Sequence, residues 1–286
     1  MYDHFDDVQE LYERANDLIG FDLAKVSFAG PEEELKQTVV TQPAIFVHSY
    51  ALVQQLAKQN LTPQMTAGHS LGEYTALCAA GSLTFEAALN LVKIRGELMQ
   101  RAGEESEGTM AAIIGMEAEA VNKVCEDASA AGIVQVANYN SPGQIVISGS
   151  IPGVNKAVEI AKEQGAKRAV PLVVSGAFHS PLMAFAKEGL QTVLETTTVQ
   201  DAQIPVYANV TARAVQQASV IKNMLLQQLT SPVRWIEIIQ NMISDGVDTF
   251  YEVGPGTVLK GLLRRIDRSF KVISINNLDS LNQLEN

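Results

Sequence analysis

The chain has 286 residues, 47% of them hydrophobic, enough for a sizeable core in one large domain or two unequal ones. A formal net charge of −11 argues against a nucleic-acid-binding face, no apolar run approaches membrane-spanning length, and the acidic start Met-Tyr-Asp-His-Phe-Asp-Asp does not read as a signal peptide. The two cysteines, Cys78 and Cys125, fall in helical patterns and read as small core residues, and no Cys/His cluster has metal-site spacing, so a cytoplasmic protein without a bound metal is expected.

In chain order, Phe5, Val8, Leu11, Tyr12, Ala15 and Leu18 recur at helical spacing and predict a helix over 5–19. A short acidic helix is expected from Pro31. A further apolar helix follows Thr41-Gln42-Pro43, with the proline suited to its first turn, and runs to about Lys58. Residues 65–68 predict a short buried strand. Leu71 to Ala80 predicts a helix closed by Gly81, and a helix capped by Thr84 runs to about Arg101. After a polar connector at 103–108 the order becomes β-α-β-β-α-β, with strands near 110–116, 133–138, 144–148 and 167–174 and helices over 117–130 and 152–164. That is the order of a ferredoxin-like unit, expected here as a subdomain over 107–175 inserted into a larger α/β domain made of 1–106 and 176–286. The later part predicts helices over 181–194, 220–229, 233–244 and up to Ile266, and strands over 204–210, 249–253 and 271–275, followed by a polar tail. Strands alternating with helices imply a mostly parallel sheet.

Gly68-His69-Ser70-Leu71-Gly72 has the form G-x-S-x-G at the junction of an expected strand and helix, which suits a nucleophile elbow; so short a pattern also arises by chance. The helix after it would aim its free N–H groups at an oxyanion on Ser70. A serine nucleophile needs a base. Of the four histidines, His69 projects away from its neighbour Ser70, and His4 and His48 lie in upstream helical patterns. His179, in the loop Ser175-Gly176-Ala177-Phe178-His179-Ser180, is the remaining candidate, at the end of a strand where open α/β sheets carry their sites. No acid stands out to orient it, so a Ser-His dyad held by a carbonyl or amide fits better than a triad. Arg95 reads either as a surface charge or as a guanidinium fork for a substrate carboxylate.

The fuller string Ala67 to Tyr74 (AGHSLGEY) resembles the serine motif of malonyl-CoA:acyl-carrier-protein transacylases, free-standing and within polyketide synthases. The resemblance extends through Thr41-Gln42-Pro43-Ala44, Arg95-Gly96, Asn138 to Gly149 (NYNSPGQIVISG), Gly176 to Ser180, Gln228 to Trp235 (QLTSPVRW) and Gly254-Pro255-Gly256. It implies an α/β fold with a hydrolase-like large domain and the ferredoxin-like small one, and a site between them. By that resemblance Ser70 is the acylated nucleophile, His179 its base, Arg95 the anchor of the malonyl carboxylate and Gln228 a neighbour ordering the histidine. Met99 and Phe178 would line the acyl pocket, the Leu71 N–H would be an oxyanion donor, and Gln42 and Asn138 would lie on the substrate side.

The activity implied is malonyl transfer from malonyl-CoA to the phosphopantetheine thiol of acyl carrier protein through a malonyl-serine, with no dissociable cofactor. It would serve fatty-acid or polyketide synthesis, between which the sequence does not choose. A serine hydrolase or thioesterase, or an N-terminally truncated inactive docking subunit, are the alternatives. Members of the family normally begin with a strand and a Gly-Gln-Gly-Ser-Gln loop ahead of the helix at 5–19. This chain starts after that segment, whose glutamine N–H would be the second oxyanion donor.

Overall fold

A computed structural model of the chain describes residues 1–284. Helix α1 (Asp6–Ile19) buries Val8, Leu11, Tyr12, Ala15 and Ile19 along one face and ends at Gly20 in the left-handed conformation. Helix α2 (Leu23–Ala29), unread in the sequence, is capped by the Asp22 side chain, which accepts the Lys25 N–H. After α3 (Glu32–Leu35) comes α4 (Thr38–Lys58), which begins upstream of the expected start, so that Pro43 lies inside it rather than in its first turn. Loss of one helical N–H is tolerated there because the helix is buried on several sides. Phe46 stacks at 5.8 Å on Phe85 of α6 (Phe85–Glu105).

Strand β1 (Thr66–Ala67) and α5 (Gly72–Ala79) flank the elbow. Thr84 caps α6 as expected, accepting the Ala87 N–H at 3.2 Å. Helix α6 runs past Arg101 into the expected connector. An Arg101–Glu105 pair at 2.8 Å supports its last turn, and Gly103 allows close passage of the chain at Ser175, since a Cβ there would lie 1.9 Å from the Ser175 oxygen.

Strands β2 (Gly108–Ile114), β3 (Val134–Ser141), β4 (Gln144–Ser150) and β5 (Arg168–Pro171) form an antiparallel sheet in the order β3-β4-β2-β5, the ferredoxin-like arrangement. Helices α7 (Ala118–Ala128) and α8 (Ile151–Glu163) cover it over Ile113, Val121, Val124, Ile145, Ile147 and Val154.

The chain then returns through α9 (Ala184–Thr196), β6 (Val206–Tyr207), β7 (Ala214–Val215), α10 (Ala218–Gln228) and α11 (Trp235–Ser244). It closes with β8 (Thr249–Val253), α12 (Val258–Ile266), β9 (Lys271–Ile275) and α13 (Leu278–Asn282), the last within the expected polar tail. Among the described residues the strands that pair in parallel are β1 with β6 and β8 with β9, so this part is richer in helix than in sheet. Strand β6 is shorter than the expected 204–210 because the chain turns at Ala208, closed by Ala208 N–H to Arg213 O at 3.0 Å. Helix α11 starts two residues late because Val233 is engaged elsewhere: it donates to Ala137 O at 2.8 Å and accepts from Tyr139 N–H at 2.9 Å, joining β3 to the larger part.

Thr84→Ala removes the α6 cap and should cost about 1 kcal/mol, lowering the melting temperature by roughly 2–4 °C. Differential scanning calorimetry of the two proteins checks this.

Candidate active site

Ser70 sits between β1 and α5 with φ 51, a left-handed conformation that is costly for a side chain and lifts its hydroxyl off the turn. The turn closes over Gly68, where a Cβ would lie 1.9 Å from the carbonyl carbon of Gly72. Gly72 itself has nothing within 4 Å of such an atom, so of the two motif glycines only the first is demanded by space. Asn209 braces the turn: its Oδ1 accepts the Ser70 N–H at 2.7 Å and its Nδ2 donates to Gly68 O at 2.6 Å. Gln228 Nε2 donates to Ser70 O at 3.0 Å. The next amide, Leu71 N–H, has no protein acceptor among the described residues and stands at the start of α5, where an oxyanion on Ser70 would meet it.

His179, from the loop after β5, reaches the serine with Nε2 2.9 Å from Ser70 Oγ. Its Nδ1 lies 2.9 Å from the main-chain oxygen of Gln228. A carbonyl only accepts, so the proton sits on Nδ1 and Nε2 is free to take the serine hydroxyl proton. His179 also holds a left-handed backbone, φ 58, and its carbonyl is gripped by Gln135 Nε2 at 2.8 Å. Arg95, 1% exposed, donates through Nη1 to Gln42 Oε1 at 2.6 Å and through Nη2 to Gln228 Oε1 and Ser70 Oγ, both at 3.0 Å. The serine oxygen thus faces a base on one side and a cation on the other.

Electrostatics follow from burial. Removal from water, and then the Arg95 charge, pull His179 down to about 3, so the imidazole is neutral across the physiological range. Burial also lowers Arg95 and pushes the carboxyl of Glu73, which accepts from Gln228 Nε2 at 2.7 Å, up to about 7.

Of the residues singled out in the sequence, Ser70, His179, Arg95, Gln228 and Gln42 converge in one hydrogen-bonded cluster. Leu71 follows the serine at the head of α5, and Met99 is buried beside Gln42, whose Nε2 lies 3.6 Å from its sulfur. Phe178 is half-buried against the apolar cluster of Met110, Ala137 and Val146. Asn138 is buried in β3, but no hydrogen bond joins its side chain to the dyad. The asparagine of that strand that reaches the elbow is Asn140, whose Oδ1 lies 2.8 Å from His69 Nε2. His69 also packs near Trp235, ring centroids 5.4 Å apart.

Sequence reasoning missed Asn209, Gln135, Asn140 and Glu73. The last left a usable signal: an acid alone on an otherwise apolar helix, Gly72 to Ala79. Among the described residues no cluster of His, Cys, Asp or Glu is arranged to hold a metal ion.

The family model for the acyl transferase domain matches residues 3–278. The chain belongs to the acyl transferase family. This acyl transferase is 45% identical over 282 residues to the malonyl CoA-acyl carrier protein transacylase of Bacillus subtilis, covering 98% of this chain and 89% of the relative. It is 44% identical over 280 residues to the one from Haemophilus influenzae, covering 97% and 90%. Its fold matches the acyl carrier protein S-malonyltransferase of Vibrio cholerae with a TM-score of 0.95 at 41% identity, over 99% of this chain and 92% of that one. A malonyl-transacylase solved in complex with its type II polyketide-synthase acyl carrier protein matches with a TM-score of 0.95 at 40% identity, again over 99% and 92%.

Two buried titrating groups of this acyl transferase, His179 and Glu73, act on stability with opposite signs. Below 6.5 the unfolded chain protonates His179 while the folded chain does not until about 3, so this residue makes stability fall as pH falls through that window. Folded Glu73 is protonated below about 7 and unfolded Glu73 only below 4.5, so it makes stability rise as pH falls from 7 to 4.5. Between 6.5 and 4.5 the two oppose. Glu73→Gln should expose an acid-side loss of up to about 1.4 kcal/mol per pH unit, and His179→Gln a slope of the other sign. Urea denaturation at pH 7, 6 and 5 measures both; parallel profiles for parent and variants would contradict them.

Proposed function

We propose that the chain moves a malonyl group from malonyl-CoA to the phosphopantetheine thiol of acyl carrier protein through a malonyl ester of Ser70. The observation that carries this reading is a buried Arg95 hydrogen-bonded to the same serine oxygen that faces a neutral histidine. A serine hydrolase needs the nucleophile and base but has no use for a buried cation at the hydroxyl; an acyl group that ends in a carboxylate does. The names of the relatives, malonyl transacylases throughout, and the solved complex with a carrier protein support the same substrate and partner.

In this reading His179 Nε2 takes the Ser70 hydroxyl proton as Oγ attacks the thioester carbonyl. The tetrahedral oxyanion is met by the Leu71 N–H at the head of α5. Collapse breaks the C–S bond, and the coenzyme A sulfur leaves with the proton from the imidazolium. The second half runs in mirror order: the carrier thiol gives its proton to His179 as its sulfur attacks the ester, and the proton returns to Ser70 as the C–O bond breaks. The Gln228 carbonyl holds the imidazole tautomer through both halves, which is why no acidic third member is required. Arg95 holds the malonyl carboxylate, Gln42 and Gln228 hold Arg95, and Met99 and Phe178 shape the acyl pocket, with Asn138 behind it on β3. The reading carries a discontinuous large domain, 1–106 and 176–286, around the 107–175 subdomain. It also carries a cytoplasmic location, supported by free Cys78 and Cys125 and by the lack of any described helix long and apolar enough to cross a membrane.

Mixing the protein with malonyl-CoA should give a covalent malonyl adduct by intact-mass spectrometry that acyl carrier protein discharges, and Ser70→Ala should give none. An adduct on the alanine variant would refute the nucleophile; an adduct discharged by water as fast as by carrier protein would point to a thioesterase.

Arg95→Ala should lower kcat/KM for malonyl-CoA by at least about 10²-fold, since unpairing a buried charge typically costs 3–5 kcal/mol. Acetyl-CoA, which offers no carboxylate, should lose far less, so the ratio of the two donors narrows. Equal losses for both would make Arg95 a structural residue.

A further inference from the structure

Glu73 is an ionisable side chain hydrogen-bonded into the cluster that the acyl-transfer steps do not use. It lies in the first turn of α5 and is 2% exposed. An acid in that position ordinarily serves its own helix by facing the free N–H groups. The hydrogen bonds of this one go to residues outside its helix. Its Oε2 accepts the Asn209 main-chain N–H at 3.2 Å and Gln228 Nε2 at 2.7 Å, from residues 136 and 155 positions along the chain.

Each partner has the site at its other end. The Asn209 side chain grips the elbow on both sides of the turn, at Ser70 N–H and Gly68 O. Gln228 donates to Ser70 O, accepts from Arg95 Nη2, and through its main chain accepts the His179 Nδ1 proton. The terminal amide of a glutamine has two nearly isosteric orientations. An acceptor at Glu73 selects one: the nitrogen faces Glu73 and Ser70 O, and the oxygen is left for Arg95. Reversed, the amide would set its N–H groups against the guanidinium and its oxygen against two other oxygens. One carboxyl oxygen therefore ties the residue that braces the elbow to the residue that meets nucleophile, base and cation.

We propose that Glu73 is a positioning residue for acyl transfer, holding Asn209 and Gln228 in the orientation that presents Ser70 to His179 and Arg95. This rests on the reading of Ser70 as the acylated nucleophile.

The test is single-turnover acylation by malonyl-CoA, followed by mass spectrometry, with steady-state KM and the folded fraction measured on the same samples. Glu73→Ala should acylate about 10²-fold more slowly per folded molecule, the scale of a displaced reacting group, with KM for malonyl-CoA little changed. Glu73→Asp, one methylene short, should be slowed in the same sense and serves if the alanine variant does not fold. Glu73→Gln, whose amide oxygen can accept the same two hydrogen bonds, should stay within about tenfold of the parent. A normal rate per folded molecule in both the alanine and aspartate variants, or a loss that only follows the unfolded fraction, would overturn the proposal. Failure of the parent protein itself to acylate would instead overturn the reading it rests on.

Discussion

A guanidinium buried beside a serine hydroxyl constrains everything around it. Taken out of water, the Arg95 charge must be met by acceptors, and the fold supplies Gln42 from α4, Gln228 from the end of α10, Ser70 at the elbow and the face of Tyr74, 5.7 Å away. Two of these acceptors are neutral amides, which satisfy the geometry without cancelling the charge. A carboxylate in their place would form a closed ion pair and leave little attraction for an incoming anion. Burial first, and then the same charge, keep His179 in its neutral form, so a neutral imidazole and a guanidinium meet the Ser70 oxygen from its two sides.

The framework around this charge is held in conformations that side chains resist. Both dyad residues occupy left-handed backbone, and each is secured by side chains from distant elements: Asn209 for Ser70, Gln135 for His179. Such strain persists only where surrounding contacts over-determine it. The short β6 and the turn after it then have a clear purpose, since that turn delivers Asn209 beneath the elbow.

How much of this was legible in the sequence depended on the range of the interaction. The strands at Thr249–Val253 and Lys271–Ile275 and the β-α-β-β-α-β order could be read because alternation, helical spacing and turn residues are local signals. Ser70 carried a motif and His179 was isolated by elimination among four histidines. Helices α2 and α13 were missed because they span seven and five residues, too short for a repeat to declare itself. Pro43 misled because its preference for a first turn is a local propensity, and the burial of α4 overrode it. Asn209, Gln135 and Glu73 act on partners more than forty residues away, and nothing in their immediate sequence states that link.

The pairing of Val233 with β3 bears on how such an enzyme diversifies. The two hydrogen bonds of that junction, Val233 N–H to Ala137 O and Tyr139 N–H to Val233 O, are made entirely by main chain, and they lie within a few residues of both Gln228 and Asn140. A main-chain seam is blind to side-chain identity. Side chains of β3 other than Gln135 and Asn140, which hold His179 and the elbow, can therefore change while the register between the small sheet and the elbow stays constant. The alignment of small sheet and elbow is thereby separated from the identity of the side chains around it, and mutation can alter the second without forfeiting the first.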